Sequence, residues 1–197
     1  VSTVSKLSDC VFVDPKGMPE LMSKLAIIKL NGGVGDTMQM TTPKGLLKIS
    51  EVRNRPVNIL DISAKQILSA RRTTNTPIPA FFMNSRNTNK GTTTYLEKYA
   101  ELDCTPGLGT DLLHTFVQNS FPKVDAHTGK PALWPESQDL EWQPAGNGDI
   151  FNSLYSTGEL DWMLESGFEY AYISPTTNLQ ADFEPRIFKK FTESNCA

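Results

Sequence analysis

The sequence predicts an α/β fold with a mostly parallel central sheet. Three observations carry that reading. Short apolar runs bounded by glycine or proline alternate along the chain with segments whose apolar residues recur at helical spacing, which is the pattern of strand–helix–strand units. The first apolar run ends in a cluster of glycines, where ligands gather in open parallel sheets. The 197 residues are 39% hydrophobic and 21% charged, an ordinary soluble composition at a length that suits one domain or a large part of one.

Taken in order, LAIIKL at 25–30 is a continuous apolar run and reads as a buried strand. GLLKIS at 45–50 reads as a second, shorter strand. From Asn58, a suitable cap, Ile59, Ile62, Ala64, Ile67 and Leu68 follow helical spacing. IPAFFMN at 78–84 is strand-like again, TTTYLEKYA at 92–100 reads as a helix, and LLHTFVQ at 112–118 as a third core strand. The proline-bearing stretch from 119 to 146, with Trp134 and Trp142, is too long for a structureless loop in a compact domain, so it is expected to be functional or partly structured. FNSLYSTG and ELDWMLES at 151–166 read as helix broken or bent at Gly158. YAYIS at 170–174 closes the strand set, and Asp182 is placed to cap a last helix over 183–194. Strands alternating with helices favour parallel pairing through right-handed crossovers.

The glycine cluster Gly32-Gly33-Val34-Gly35, with Lys44 behind it, lets backbone N–H groups approach an anion or nucleotide, because no β-carbon intervenes. Two better-known glycine motifs do not fit. A Walker A loop needs Gly-Lys followed by Ser or Thr, whereas Lys44 stands between Pro43 and Gly45. A dinucleotide fingerprint needs a third glycine where Met38 stands. On these letters alone, a ligand loop and a plain turn with a solvated Lys44 stay equally open. Gly146-x-Gly148 stands before a second helix, with Asp149 favouring the helix dipole, and a glycine turn with a helix cap accounts fully for that block by itself.

A net charge of -3 argues against a nucleic-acid surface, and no apolar run reaches membrane-spanning length. The N-terminus lacks a basic-then-apolar leader pattern. Cys10, Cys104 and Cys196 are far apart and odd in number, so the expected setting is a reducing cytoplasm. His114 in an apolar strand and His127 in a polar loop lack the clustered partners of a metal site. Glu159, Asp161 and Glu165 are expected on a solvated helix face, and Trp134 and Trp142 in packing. Arg71-Arg72 closes a helix where cations suit the dipole and need no partner.

Together the blocks resemble the UTP–monosaccharide-1-phosphate uridylyltransferases, the UDP-glucose pyrophosphorylase family. Leu30-Asn31-Gly32-Gly33-Val34-Gly35, Met38 and Lys44 match the family's Leu-Asn-Gly-Gly-x-Gly segment with its following Met and lysine. Phe82-Met83-Asn84-Ser85 and Thr88 resemble its Met-Asn-Ser-Phe-x-Thr, Gln118 its glutamine before a proline turn, and Pro144 to Asp149 its Pro-Gly-His-Gly-Asp. The resemblance implies a GT-A-like, Rossmann-like nucleotidyltransferase fold, truncated here, with residues 1–24 an N-terminal extension and 25–197 the nucleotide-binding half of the catalytic domain. It implies a uridylyltransferase that forms a UDP-sugar, UDP-glucose first, and pyrophosphate from UTP and a sugar 1-phosphate, with Mg²⁺ as cofactor. By the same resemblance Leu30, Asn31, Gly32 and Gly33 line the uridine and ribose, and Gln118 and Gly146 read the base. Lys44 is the catalytic cation on the phosphates, and Asn147 stands on the sugar-phosphate side.

Departures accompany the likeness. Asn147 stands where the family has a histidine, and Thr177 where it has the aspartate that holds Mg²⁺ and the nucleotide phosphates. Family members also continue well past residue 197. The second reading is therefore a catalytically impaired nucleotide-binding homologue, a pseudoenzyme or fragment. Neither reading fixes the sugar or the oligomeric state.

Overall fold

The computed structural model describes residues 17–35, 38–40 and 42–194. Most of the expected N-terminal extension, Cys10, Cys196, and Asp36 and Thr37 within the glycine loop lie outside the described residues. A four-stranded parallel sheet holds the molecule together: β1 (Leu25–Asn31), β4 (Ala80–Asn84), β5 (Leu113–Val117) and β8 (Tyr170–Pro175), in the spatial order β5-β4-β1-β8. A hairpin of β2 (Lys48–Val52) and β3 (Arg55–Asn58) and a small pair of β6 (Ser120–Pro122) and β7 (Trp142–Pro144) stand apart from it. The long proline-bearing stretch is thus partly structured, as its length required.

Strand periodicity sorts the core into two layers. Leu25, Ile27, Ala80 and Phe82 point to one face, where Leu60, Ala64, Ile67 and Leu68 of α2 (Ile59–Thr74) cover them. Met22 of α1 (Met18–Met22), Leu96 of α3 (Arg86–Leu96) and Phe188 of α6 (Pro185–Glu193) complete that layer. Ala26, Ile28, Phe81, Met83 and Phe116 point the other way, against Ile150 and Leu154 of α4 (Ile150–Ser156) and Met163 of α5 (Glu159–Glu165). The central strands are covered on both sides, which explains why they read as unbroken apolar runs rather than alternating ones.

Several expectations need correction. The segment 45–50 is not one strand: a single 3₁₀ turn, Lys44–Leu46, precedes β2. The third helix begins at Arg86, six residues before the expected start, because Ser85 and Thr88 form a reciprocal capping box. Glu184, not Asp182, caps the last helix, its carboxylate accepting the N–H of Arg186 just after Pro185 at the first helical position. Asn58 does cap α2, in a capping box with Asp61, and Gly158 with φ of +82° does separate α4 from α5.

Arg71 is the largest correction. Rather than a dipole cation without partners, it is wholly buried, and its guanidinium donates to the carbonyls of Ile78, Glu101, Leu102 and Leu112 and to Thr105 Oγ1. Burial lowers its pKa to about 10, which still leaves it charged at neutral pH. Glu159 is likewise not on a solvated face: its Oε2 lies 3.1 Å from His114 Nδ1, and the imidazole is held between the rings of Phe81 and Trp162. Trp134 and Trp142 are partly exposed and lie outside the core, which leaves the loop-anchoring half of their expected packing role.

Candidate nucleotide site

The chain lays β1, β4 and β5 side by side in one direction and then places β8 on the far side of β1. The strand order therefore reverses between β1 and β8, and a crevice opens beyond the carboxyl ends of strands at such a point. Asn31 to Gly35, Gln118 and the turn after Pro175 all lie at these ends.

Gln118 organises one side. Its backbone N–H bonds Asn84 O at 2.8 Å, which extends the β4–β5 ladder by one residue and sets the direction of the side chain. The amide is 3% exposed and lies directly over Gly32: a β-carbon on Gly32 would fall 1.8 Å from Gln118 Nε2. Gln118 Oε1 accepts the N–H of Gly146 at 2.7 Å. Gly146 has φ of +96° with ψ of -178°, a conformation that is essentially glycine's alone. Three residues far apart in sequence thus form one constellation. Because Gly146 N–H fixes Oε1, the amino group Nε2 is the atom set over Gly32, and among the described residues it donates to no protein acceptor.

A second tie holds the Gly146 loop in place. Asp149 accepts from Asn119 N–H at 2.8 Å, from Asn119 Nδ2 and from Ser153 Oγ, while Ala145 N–H bonds Asn119 O at 3.0 Å. Burial pushes the Asp149 carboxyl up, but hydrogen bonds from Ser153 and Asn119 outweigh it and hold the pKa below its usual value. Asp149 is thus the bracket that joins the end of β5 to the start of α4. Asn119 was not singled out in the sequence, and nothing in its letters marks it.

Asn31 has a structural role. Its Nδ2 donates to Asn84 Oδ1 and Thr92 Oγ1, both at 2.8 Å, and its Oδ1 accepts from Thr176 Oγ1 at 3.1 Å. The Leu30 carbonyl is occupied by Thr176 N–H and Oγ1. Whatever Leu30 and Asn31 offer a ligand is not the Asn31 side chain. Gly45 has a role that its place after Lys44 did not suggest: a β-carbon there would meet Asn31 Oδ1 at 2.7 Å and Leu60 at 2.9 Å. Gly33 is exposed and its carbonyl accepts Lys44 N–H at 3.0 Å, so the loop closes on itself and sets Lys44 beside the glycines. Among the described residues the Lys44 ammonium has no carboxylate partner.

Three comparisons with known proteins bear on the family and the fold. The family model for UTP–glucose-1-phosphate uridylyltransferase matches residues 4–197. The chain belongs to that family. Uridylyltransferases similar to it include that of Solanum tuberosum, 35% identical over 175 residues, or 88% of this chain and 34% of the relative, and a Dictyostelium discoideum enzyme, 38% identical over 165 residues. Among solved structures, UDP-glucose phosphorylase from Trypanosoma brucei overlays 89% of the chain with a TM-score of 0.77 at 32% identity, and the chain covers 36% of it. A mutant UDP-glucose pyrophosphorylase of Leishmania major in complex with UDP-glucose gives 0.78 at 28% identity over 98% of this chain. The chain spans about a third of the length of these relatives.

The two residues expected to depart from the family pattern lie at different strand ends. Thr177 is exposed in the turn after β8, and Asn147 is exposed at the start of the 3₁₀ turn before α4. Mg²⁺ is a hard cation, normally held through carboxylates. Thr177 offers one neutral hydroxyl, Asp149 is already used by Asn119 and Ser153, and no cluster of three acidic, His or Cys side chains forms among the described residues. The described side chains thus form no all-protein cage for Mg²⁺, an ion ordinarily held by one or two carboxylates together with substrate phosphates. Beneath Thr177 lies a residue that sequence reasoning passed over. Lys29, 3% exposed in β1, donates to Ser174 Oγ at 3.0 Å and Ala181 O at 3.3 Å. Burial lowers its pKa, with the Asp182 charge acting against that shift. A lone lysine in an apolar run was the available signal. It ties the strand end to the far side of the loop that carries Thr177, and Gln66 Nε2 adds a bond to Leu179 O.

Proposed function

We propose that the chain is the nucleotide-binding part of a uridylyltransferase that makes UDP-glucose and pyrophosphate from UTP and glucose 1-phosphate. The observation that carries this reading is the Gln118 amide, held over Gly32 and clamped by Gly146 N–H so that Nε2 presents donors to the crevice. A uracil carbonyl accepts such a donor, whereas the amino group of cytosine or adenine would confront it donor to donor. A ribose and triphosphate extending from that base pass Gly32 and Gly33 towards Lys44, which faces no competing carboxylate. The reaction needs no covalent enzyme intermediate. A phosphate oxygen of the sugar attacks the α-phosphorus of UTP in line, the bond to the bridging oxygen breaks, and pyrophosphate leaves with the electron pair. The chain's part is to hold the nucleotide, orient its α-phosphorus and neutralise charge with Lys44. No step is routed through a metal on Thr177. A cytoplasmic setting suits the exposed free thiol of Cys104, and no helix among the described residues is long and apolar enough to cross a membrane.

Gln118→Glu tests the base-reading role. It keeps the shape and the oxygen that takes Gly146 N–H but replaces the donor with an acceptor. UTP binding is expected to weaken roughly tenfold to a hundredfold, since leaving a buried partner unpaired costs about 1–3 kcal/mol, with circular dichroism checking that the variant is folded. Equal UTP affinity in the variant would remove Gln118 from the site.

A further inference from the structure

A cavity of about 820 Å³ opens between the β2–β3 hairpin and the packed ends of α2 and α3, and it shares no lining residue with the glycine loop, Gln118 or Gly146. Arg53, Arg55, Lys65 and Lys98 line it, with Asp61 as the one acidic side chain among the lining residues. Asp61 does not oppose an anion there, because its charge is already met. It accepts from Asn58 N–H and from the hydroxyls of Tyr95 and Tyr99, and it pairs with Lys98 at 2.6 Å. Lys98 Nζ in turn rests 3.4 Å from the centre of the Tyr95 ring. Arg53, Arg55 and Lys65 have no ion pair among the described residues. In a chain of net charge -3, three positive charges without a counter-charge are thus gathered round one concavity.

The hairpin turn adds an independent sign. Arg53 and Asn54 both have positive φ, +51° and +59°. This is the turn that twists a two-residue hairpin correctly, and glycine, asparagine or aspartate fill it at little strain. Asn54 is such a residue. Arg53 is not, and a residue held in a sparsely populated conformation is a pointer to function. The strained position puts an arginine on the rim of the cavity.

We propose that this cavity is a second anion site that takes a small multivalent phosphate, either an inorganic polyphosphate or a phosphorylated metabolite. Guanidinium groups bind phosphate oxygens through paired N–H donors, and the cavity is large enough for more than one phosphate group. Amide spectra of the ¹⁵N-labelled chain, titrated with tripolyphosphate, with fructose 1,6-bisphosphate and with sodium chloride at matched ionic strength, test it. Saturable shifts are expected at Arg53, Asn54, Arg55, Lys65 and Lys98 with the phosphates alone, and whichever phosphate binds more tightly identifies the source. The double variant Arg53→Asn and Arg55→Gln alters exposed hairpin residues and leaves the core intact. It is expected to weaken binding at least about fivefold. Shifts that sodium chloride reproduces, shifts confined to Gly33, Gly35 and Lys44, or saturable shifts that the double variant leaves unchanged would each overturn the proposal.

Discussion

At the residue scale, single atoms decide what the crevice can hold. Gly32→Ala places a methyl group where Gln118 Nε2 now lies, so the amide must leave its position. UTP affinity is expected to fall by more than tenfold in calorimetry. Arg71 contributes to stability rather than binding. Arg71→Lys leaves several buried carbonyls without donors, and urea unfolding is expected to register a loss on the order of 3 kcal/mol. Asp61 links stability to pH. Burial raises its pKa, but hydrogen bonds from Asn58 N–H, Lys98, Tyr99 and Tyr95 outweigh burial and bring it down to about 2. A carboxylate whose pKa is depressed on folding stabilises above its unfolded value and loses that contribution as pH falls through the folded one. About 2 kcal/mol is expected to disappear between roughly pH 4 and pH 2. Acid unfolding of Asp61→Asn should lack that part of the slope.

At the scale of elements, the positions where sequence and structure part have physical causes. The strands were legible because Leu25, Ile27, Ala80 and Phe82 bury one face while Ala26, Ile28, Phe81 and Met83 bury the other, which leaves no polar interruption. The start of α3 was not. RNTNKGTTT is poor in helix formers, and what makes it helical is tertiary: Thr88 Oγ1 bonds Asn31 O, and Thr92 Oγ1 accepts from Asn31 Nδ2. The cap of α6 is Glu184 rather than Asp182 because Pro185 takes the first helical position, and a proline there marks the residue before it as the cap. The break at Gly158 was legible, and its φ of +82° makes it testable: Gly158→Ala is expected to cost about 1–2 kcal/mol in thermal unfolding without altering UTP binding.

At the scale of the whole molecule, the fold brings the Gln118 side chain from the end of β5, with Gly146 bonded to it, over Gly32 in the loop that follows β1, which no stretch of sequence states by itself. The site was legible as a set of residues, chiefly through family likeness. Its wiring was not, since the clamp from Gly146 to Gln118 spans 28 residues, and Lys29 reaches 145 residues along the chain to Ser174. Membership of the uridylyltransferase family covers nearly all of this chain but only about a third of its relatives, so nucleotide recognition is the step that this chain can be asked to perform alone. Calorimetric titration of UTP into the chain, with CTP and ATP as competitors of equal charge, tests that claim most directly. UTP is expected to bind at a single site, at least tenfold more tightly than CTP or ATP. Equal affinity for all three, or no binding of UTP to the folded chain, would contradict it.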